Sequence, residues 1–337
     1  MTRNTLFRTT LGLFATASLF ITSAGLASAA PAPAPGTSSS LANTVSTTFP
    51  ALDTYHAGDL SAADVGRMDS HGDFIPWGAN HWDCKPSTTH PNPVILLHGF
   101  SGGNFYNYGE LAPSLKAAGF CVFSLNWGAV PLTPGYGYTD LREGAKELAA
   151  VVGKVRAATG AEKVDIVGHS AGGLMPYWYI NKMGGDQYVG KFFALAPATR
   201  GTDMGGKFNQ KTARGRFAVD AVVKSGHPGI KDLLPDSDFI REVSTPSLTR
   251  PDVQYAVLVT NGDTTVTPWQ SQFLPAGPNV PNYLLQDLCP NVKADHVSIT
   301  LNIVFLQVVQ DFLAGKTTPI VCSASDTTPV PLHQYVA

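Results

Sequence analysis

The sequence predicts an α/β protein with a doubly wound, mostly parallel sheet and helices on both faces. Between about residues 90 and 315, short apolar runs alternate with stretches of helical spacing, as expected for repeated strand–helix units. The runs are almost continuously hydrophobic, which is typical of strands that are covered on both faces. In such a sheet, ligands bind at the carboxyl ends of the strands.

The predicted strands follow one another along the middle of the chain. Five apolar runs are the candidates, at residues 94–97, 121–125, 164–167, 192–195 and 255–259, with 282–285 as a weaker sixth. Because they run unbroken across this region, we expect one domain.

Helices are predicted between these strands. The first clear one covers residues 140–158, with Thr139 as its N-cap and Gly160 as its terminator. A second covers residues 173–183, where Pro176 is expected to cause a kink because it removes a backbone hydrogen bond. The insertion 201–243 is expected to hold an ordinary helix packed on the sheet, with a lid as the alternative.

The first 29 residues have the pattern of a secretory signal peptide. Arg3 and Arg8 form a basic start, residues 11–21 are apolar, and Ala27-Ser28-Ala29 gives a cleavage site of small residues. The apolar run is shorter than the ~20 residues that a bilayer span requires. We therefore expect a secreted protein with a Pro/Ser-rich leader over residues 30–50, the folded domain over 51–322 and a polar tail over 323–337.

The composition argues against a nucleic-acid binder. Only 14% of the 337 residues are charged, and 23 Lys and Arg stand against 25 Asp and Glu. A formal net charge of −2 provides no overall basic field to neutralise phosphates. We expect no nucleic-acid partner, no transmembrane segment and a monomeric protein.

Four cysteines become interpretable once export is assumed, because disulfides persist outside the cytoplasm. They are Cys84, Cys121, Cys289 and Cys322, which allow three pairings. Their positions relative to the predicted strands and C-terminal helix favour Cys84–Cys121 and Cys289–Cys322. Metal binding is the alternative, but no CxxC spacing supports it.

Gly168-His169-Ser170-Ala171-Gly172 matches the pattern G-x-S-x-G. In a glycine-rich chain the bare pattern has little weight, but here it directly follows the third predicted strand and leads into a helix. This is the context of a nucleophile elbow, in which the glycines allow a tight, strained turn. Ser170 is the candidate nucleophile, and a passive serine in a Gly-rich turn is the alternative.

A serine hydroxyl needs a base, and the base needs an acid that orients it. After a nucleophile elbow, the acid and then the histidine follow in the chain. His296 precedes the C-terminal helix, whereas His227 lies in a turn with no strand before it. We assign His296 as the base. Asp263 follows the fifth strand and is the candidate acid, better placed than Asp295.

The loop after the first strand is the candidate oxyanion hole. It reads His98-Gly99-Phe100-Ser101-Gly102-Gly103, and the backbone N–H groups of Phe100 and Ala171 are the expected donors. His98 precedes the nucleophile and is expected to brace the loop through hydrogen bonds. A phosphate-binding loop is the alternative, but both the Walker lysine and the G-x-G-x-x-G spacing are missing.

These motifs belong to a longer pattern. It comprises Cys84-Lys85-Pro86-Ser87, residues 94–99, 119–123 and 164–176, Leu195-Ala196-Pro197, Gly201-Thr202, residues 263–268 and Asp295-His296. On these motifs, the segment from about residue 82 to 313 resembles the secreted bacterial lipases of the class 2 triacylglycerol lipase family, in the α/β-hydrolase superfamily. The resemblance implies the α/β-hydrolase fold and the same cysteine pairing.

The family's nucleophile, acid and base fall by resemblance on Ser170, Asp263 and His296. Two positions depart from the family pattern. Ala171 stands where members often have a polar residue, commonly Gln, and Tyr177 stands where Arg is common. The first change keeps the backbone donor but alters contacts beside the oxyanion hole, and with them substrate preference.

The resemblance implies a secreted serine hydrolase that cleaves acylglycerol-type esters through an acyl-enzyme, with no cofactor. Its partners would be a small-molecule or lipid ester and a lipid–water interface. A calcium ion near Asp287 and Asp295 has no supporting run of ligands, so no metal is expected. Polyester hydrolysis or acyl transfer on the same triad is one alternative, and an inactive hydrolase-like binding protein is another.

Several aromatic residues are candidates for an apolar acyl groove, with a role in the core as the equally weighted alternative. They are Tyr106, Tyr108, Tyr136, Tyr138, Trp178 and Tyr179.

Overall fold

A computed structural model describes residues 67–69, 72–277, 280–320 and 322. All six predicted strands are present, and they form one sheet in which every neighbouring pair is parallel. They are β1 Val94–Leu97, β2 Val122–Leu125, β3 Val164–His169, β4 Val189–Leu195, β5 Gln254–Val259 and β6 Asn282–Leu284. The signal peptide, the leader, residues 51–66 and the tail lie outside the described residues.

Helices cover both faces of this sheet, which confirms the predicted fold class. In the described residues they are α1 Asn104–Tyr108, α2 Leu111–Ala117, α3 Leu141–Thr159, α4 Pro176–Lys182, α5 Ala213–Lys224, α6 Asp238–Val243, α7 Leu285–Leu288 and α8 Ile303–Ala314. Side chains of a strand alternate between faces, so Ile95 and Leu97 join a core with α3 and α4. Val94 and Leu96 join the opposite core with α2 and α8.

The strand order positions the site. It is β2-β1-β3-β4-β5-β6, so the chain reverses its direction of growth between β1 and β3. At such a switch point, the loops leaving the carboxyl ends of the two strands diverge and open a crevice. The loop after β1 carries Phe100, and the turn after β3 carries Ser170.

The start of α3 differs from the prediction by its cap. The Asp140 side chain, not that of Thr139, accepts a hydrogen bond from the backbone N–H of Arg142 at 2.8 Å. A carboxylate at this position also interacts favourably with the positive end of the helix dipole. Gly160 ends α3 with φ of 80°, as the sequence predicts.

The kink predicted at Pro176 is wrong. A 3₁₀ turn covers Ser170–Gly173, and α4 begins at Pro176 itself. A proline in the first helical turn loses no hydrogen bond, because the N–H at that position has no partner within the helix.

The insertion 201–243 also differs from the prediction. Helix α5 does not pack on a face of the sheet; its buried Val219 and Val222 form a small separate cluster with Ile230 and Leu234. The half-buried ring of Phe100 packs against this cluster. The stripe of apolar residues on α5 is narrow, and the helix packs on the turn Pro228–Lys231, which carries Ile230.

Two disulfides tie the described chain together. Cys84 is bonded to Cys121, and Cys289 is bonded to Cys322. These are the pairings that the sequence favours. No helix in the described part of the chain is long and apolar enough to cross a membrane.

Candidate active site

The turn after β3 holds Ser170 in a strained conformation. Its φ is 56°, a left-handed value that non-glycine residues rarely adopt. The flanking glycines make the turn sterically feasible. A Cβ on Gly168 would lie 2.0 Å from the carbonyl oxygen of Gly172, and a Cβ on Gly172 would lie 2.3 Å from that of His98. Only glycine fits at either position, as expected for a nucleophile elbow.

The structure brings Ser170, His296 and Asp263 together. The Nε2 atom of His296 lies 2.8 Å from the Oγ of Ser170, and its Nδ1 lies 2.7 Å from Oδ2 of Asp263. Since an ionised carboxylate can only accept, Nδ1 carries the proton and donates it. Nε2 is then free to accept the hydroxyl proton of Ser170, which is the arrangement required of a general base.

Asp263 is buried and its carboxylate is fully engaged. Oδ1 accepts the backbone N–H groups of Thr265 and Val266, both at 2.8 Å, and Oδ2 accepts the amide of Gln272 at 2.9 Å. Burial alone would raise the pKa of Asp263. The hydrogen bond and charge of His296, together with the two backbone donors, hold it below its ordinary value. The carboxylate therefore stays ionised beside His296.

Two backbone N–H groups near Ser170 have no acceptor. In the described residues, no hydrogen bond uses the N–H of Phe100 or that of Ala171. The loop carrying Phe100 approaches the elbow so closely that a Cβ on Gly99 would lie 2.8 Å from the Cβ of Ser170. Unpaired donors beside a nucleophile are suited to stabilise negative charge that develops on a substrate oxygen.

His98 braces this loop, as the sequence predicts. Its Nε2 accepts the backbone N–H of Trp127 at 3.2 Å, so its Nδ1 carries the proton and donates to the carbonyl of Gly99 at 2.8 Å. The indole of Trp127 in turn donates to the carbonyl of His98 at 3.0 Å. Burial lowers the pKa of His98 to about 4, so the ring stays neutral and keeps this pattern.

Three polar residues that support the site are missing from the sequence prediction. His169 Nε2 lies 2.8 Å from the carbonyl oxygen of His296, and its Nδ1 lies 3.0 Å from the side-chain amide of Asn107. The neutral ring therefore donates to His296 and accepts from Asn107. Gln272 is the third. The position of His169 beside Ser170 is a signal for its role, but a glutamine in a turn after β5 carries none.

The candidate groove aromatics divide into three groups. Tyr136 and Tyr138 are buried against the oxyanion loop, with ring centroids 5.9 Å from His98 and 5.3 Å from Phe100. Tyr108 and Tyr179 belong to the core, and Trp178 stacks on Phe239. Tyr106 is 75% exposed. Tyr136 and Tyr138 contact residues of the oxyanion loop, and the hydroxyl of Tyr108 donates to the carbonyl of Leu97, just before that loop, at 2.8 Å.

The two departures from the family pattern have different places. Ala171 is buried directly after Ser170, in the site. Tyr177 lies in the core, with its ring centroid 5.0 Å from that of Phe192. The presence of Tyr in place of the family's Arg therefore affects packing of the core. No three His, Cys, Asp or Glu side chains converge within the described residues, near Asp287 and Asp295 or elsewhere.

Comparison with known proteins agrees with the fold. Residues 92–232 match a family profile described as alpha/beta hydrolase fold. Lipase B of Aspergillus fumigatus matches with a TM-score of 0.55 and 18% identity, over 75% of this chain and 63% of that one. The propeptide form of Bacillus licheniformis lipase BlEst2 matches with a TM-score of 0.52 and 17% identity, over 71% of this chain and 53% of that one. Its mature form matches with a TM-score of 0.50 and 16% identity, over 68% of this chain and 94% of that one.

The chain thus spans less than two thirds of the length of the first two structures. At these identities the likeness concerns the fold, which is that of the α/β hydrolases.

Proposed function

We propose that the protein is a secreted serine hydrolase that cleaves carboxylic esters of the acylglycerol type. The observation that carries this proposal is the chain of hydrogen bonds from Ser170 through His296 to Asp263, at 2.8 and 2.7 Å. Its resemblance to the class 2 lipases points to the same substrates, and the two disulfides favour export.

The proposed reaction is acyl transfer through a serine ester. Ser170 Oγ attacks the ester carbonyl carbon while its proton moves to Nε2 of His296, and Asp263 stabilises the imidazolium that forms. The N–H groups of Phe100 and Ala171 hold the oxyanion. His296 then protonates the leaving alcohol. Water, deprotonated by His296, attacks the acyl-enzyme and releases the fatty acid and Ser170.

The test combines active-site labelling with hydrolysis of an acyl-ester series from short to long chains. Ser170→Ala should abolish labelling by a serine-directed phosphonate and lower kcat by about four to six orders of magnitude, because only the oxyanion donors and substrate binding remain. Retention of labelling or of near-wild-type turnover in this variant would contradict the proposal.

Ser225→Ala is the matched control. Its Oγ also lies 2.9 Å from a histidine ring nitrogen, that of His227, but no carboxylate of the described residues pairs with His227. We expect this variant to label and hydrolyse like wild type. Tributyrin, a long-chain triglyceride and a polyester film then distinguish acylglycerol hydrolysis from polyester hydrolysis.

A further inference from the structure

Positive charge is concentrated in one segment of an otherwise acidic chain. Residues 200–224 contain six Lys and Arg and two Asp, a net charge of +4, whereas the whole chain carries −2. The remaining residues therefore carry −6. The average composition hides this asymmetry, and the segment includes all of α5.

We use the name basic α5 face for the six exposed cations of this segment. It consists of Arg200, Lys207, Lys211, Arg214, Arg216 and Lys224, all of which are exposed. None of them forms an ion pair with another residue that the structure describes. Arg216 donates only to the neutral carbonyl of Gln210, at 2.9 Å. Asp203 and Asp220 are the acidic residues of the segment, so a net charge of +4 remains.

An apolar side chain stands among these charges. Phe217 is 67% exposed, while Val219 and Val222 on the other side of α5 are buried in the small cluster described above. Cations attract anionic headgroups, and an exposed aromatic ring can insert among acyl chains, so this combination is suited to a lipid surface. A dissolved polyanion would satisfy the cations but leave the ring of Phe217 in water.

The basic α5 face adjoins two parts of the candidate active site. The cluster under α5 packs against Phe100 of the oxyanion loop. At the start of the segment, the Thr202 hydroxyl donates to the carbonyl of Thr265 at 2.6 Å, two residues after Asp263. A surface bound to this face would therefore lie next to Ser170 and not across the molecule from it.

We propose that the basic α5 face binds the surface of an anionic lipid aggregate, with Phe217 inserted among the acyl chains. This inference deepens the proposed function and rests on it, since it names the surface from which the ester would enter the site. Each Lys or Arg near an anionic membrane contributes about a fivefold gain in affinity. The contribution decreases with salt because counterions screen it.

The experiment measures binding to vesicles by flotation, with Ser170→Ala protein so that no lipid is consumed. Vesicles of phosphatidylcholine alone are compared with vesicles that contain 30 mol% phosphatidylglycerol. We expect binding at least tenfold stronger to the anionic vesicles. The triple change K207Q/K211Q/R214Q should lower that binding about a hundredfold, and Phe217→Ser should lower it about tenfold.

The matched control is K146Q/K154Q/K316Q, which removes the same charge from exposed positions on α3 and after α8. It should leave most of the binding intact. Equal losses in the two triple variants, or equal binding to both kinds of vesicle, would overturn the proposal. So would binding to heparin with the same dependence on α5 cations but no binding to vesicles.

A second readout separates this inference from the proposed function. With Ser170 present, hydrolysis of a water-soluble short-chain ester should be the same in the α5 variants as in wild type, since none of their residues belongs to the triad or the oxyanion hole. Loss of binding to anionic vesicles, with hydrolysis of the soluble ester preserved, supports the proposal that the basic α5 face binds the lipid surface. A wild-type protein that binds anionic vesicles but hydrolyses no ester would refute the proposed function alone.

Discussion

Gln272 illustrates how a residue remote from the substrate can control the candidate site. It is fully buried, and its amide donates to Oδ2 of Asp263 at 2.9 Å and to the carbonyl of Val266 at 3.1 Å. Oδ2 also accepts the hydrogen bond from Nδ1 of His296. Gln272 therefore fixes the orientation of the carboxylate without touching the reacting atoms, and we regard it as a positioning residue.

Replacing Gln272 by Met keeps the length of the side chain but removes the donor. We expect kcat to decrease about tenfold with little change in KM, because the carboxylate of Asp263 loses one hydrogen bond and the substrate loses none. Gln272→Glu should behave differently. Two carboxyl groups this close share one proton, and the protonated new carboxyl group can donate to Asp263 as the amide does.

Activity of Gln272→Glu relative to wild type should therefore increase as the pH is lowered from 8 to 6, whereas the ratio for Gln272→Met should stay constant. Steady-state rates across this range, with urea midpoints to exclude unfolding, provide the measurement. A purely structural role predicts the same pH-independent loss in both variants.

His169 makes a second prediction, which concerns stability. Burial, followed by the nearby charge of His296, lowers its pKa to about 3, against about 6.5 in an unfolded chain. Between these values the unfolded state binds the extra proton, so the ring's contribution to stability is complete above pH 6.5 and decreases as the pH falls. The slope is about 1.4 kcal/mol per pH unit.

The measurement compares wild type with His169→Gln by urea unfolding at pH 7, 6 and 5. The two proteins are compared because other groups also make stability depend on pH. Burial raises the pKa of Asp165 and of Asp232 to about 6, so these carboxylates bind protons in the folded state and oppose the effect of His169. Glutamine retains a donor toward the carbonyl of His296. We expect the stability advantage of wild type to shrink by roughly 2 kcal/mol between pH 7 and 5. Parallel curves would contradict a buried neutral His169.

At the scale of the elements, the apolar runs predict the strands well because a buried parallel strand leaves little choice of residue. The capping of α3 and the start of α4 could not be predicted in the same way. Thr139 and Asp140 are adjacent and both favour N-caps, and only the backbone path decides between them. Pro176 fits a first helical turn as well as a kink, so its role depends on where the helix begins.

The candidate site likewise has residues that the sequence predicts and residues that it does not predict. Ser170, Asp263 and His296 are predictable because each follows a strand, and parallel strands bring their carboxyl ends to one edge. The structure places His296 within hydrogen-bond distance of both Ser170 and Asp263. Gln272 lies in a 3₁₀ turn, Trp269–Gln272, that folds back on Asp263. A contact that forms because a turn folds back on an earlier residue has no periodic pattern in the sequence, so it could not be predicted.

At the scale of the whole molecule, the two disulfides close loops that each carry one part of the site. Cys84–Cys121 spans 37 residues and encloses Phe100, and Cys289–Cys322 spans 33 residues and encloses His296. Both loops are long, so each bond removes much conformational entropy from the unfolded chain. Their similar lengths predict similar contributions, although they lie at different ends of the fold.

The double changes C84S/C121S and C289S/C322S should each lower the free energy of unfolding by roughly 3–4 kcal/mol. Urea unfolding of both variants and wild type, without reductant, provides the measurement. Addition of reductant should bring wild type close to a variant that lacks both bonds and should leave that variant unchanged. Since β3 and β5 position Ser170 and Asp263, and His169 bonds to the backbone carbonyl of His296, both double variants should keep phosphonate labelling at low urea. A loss below about 1 kcal/mol in either variant would show that the unfolded chain is already compact there and that loop length does not set the contribution.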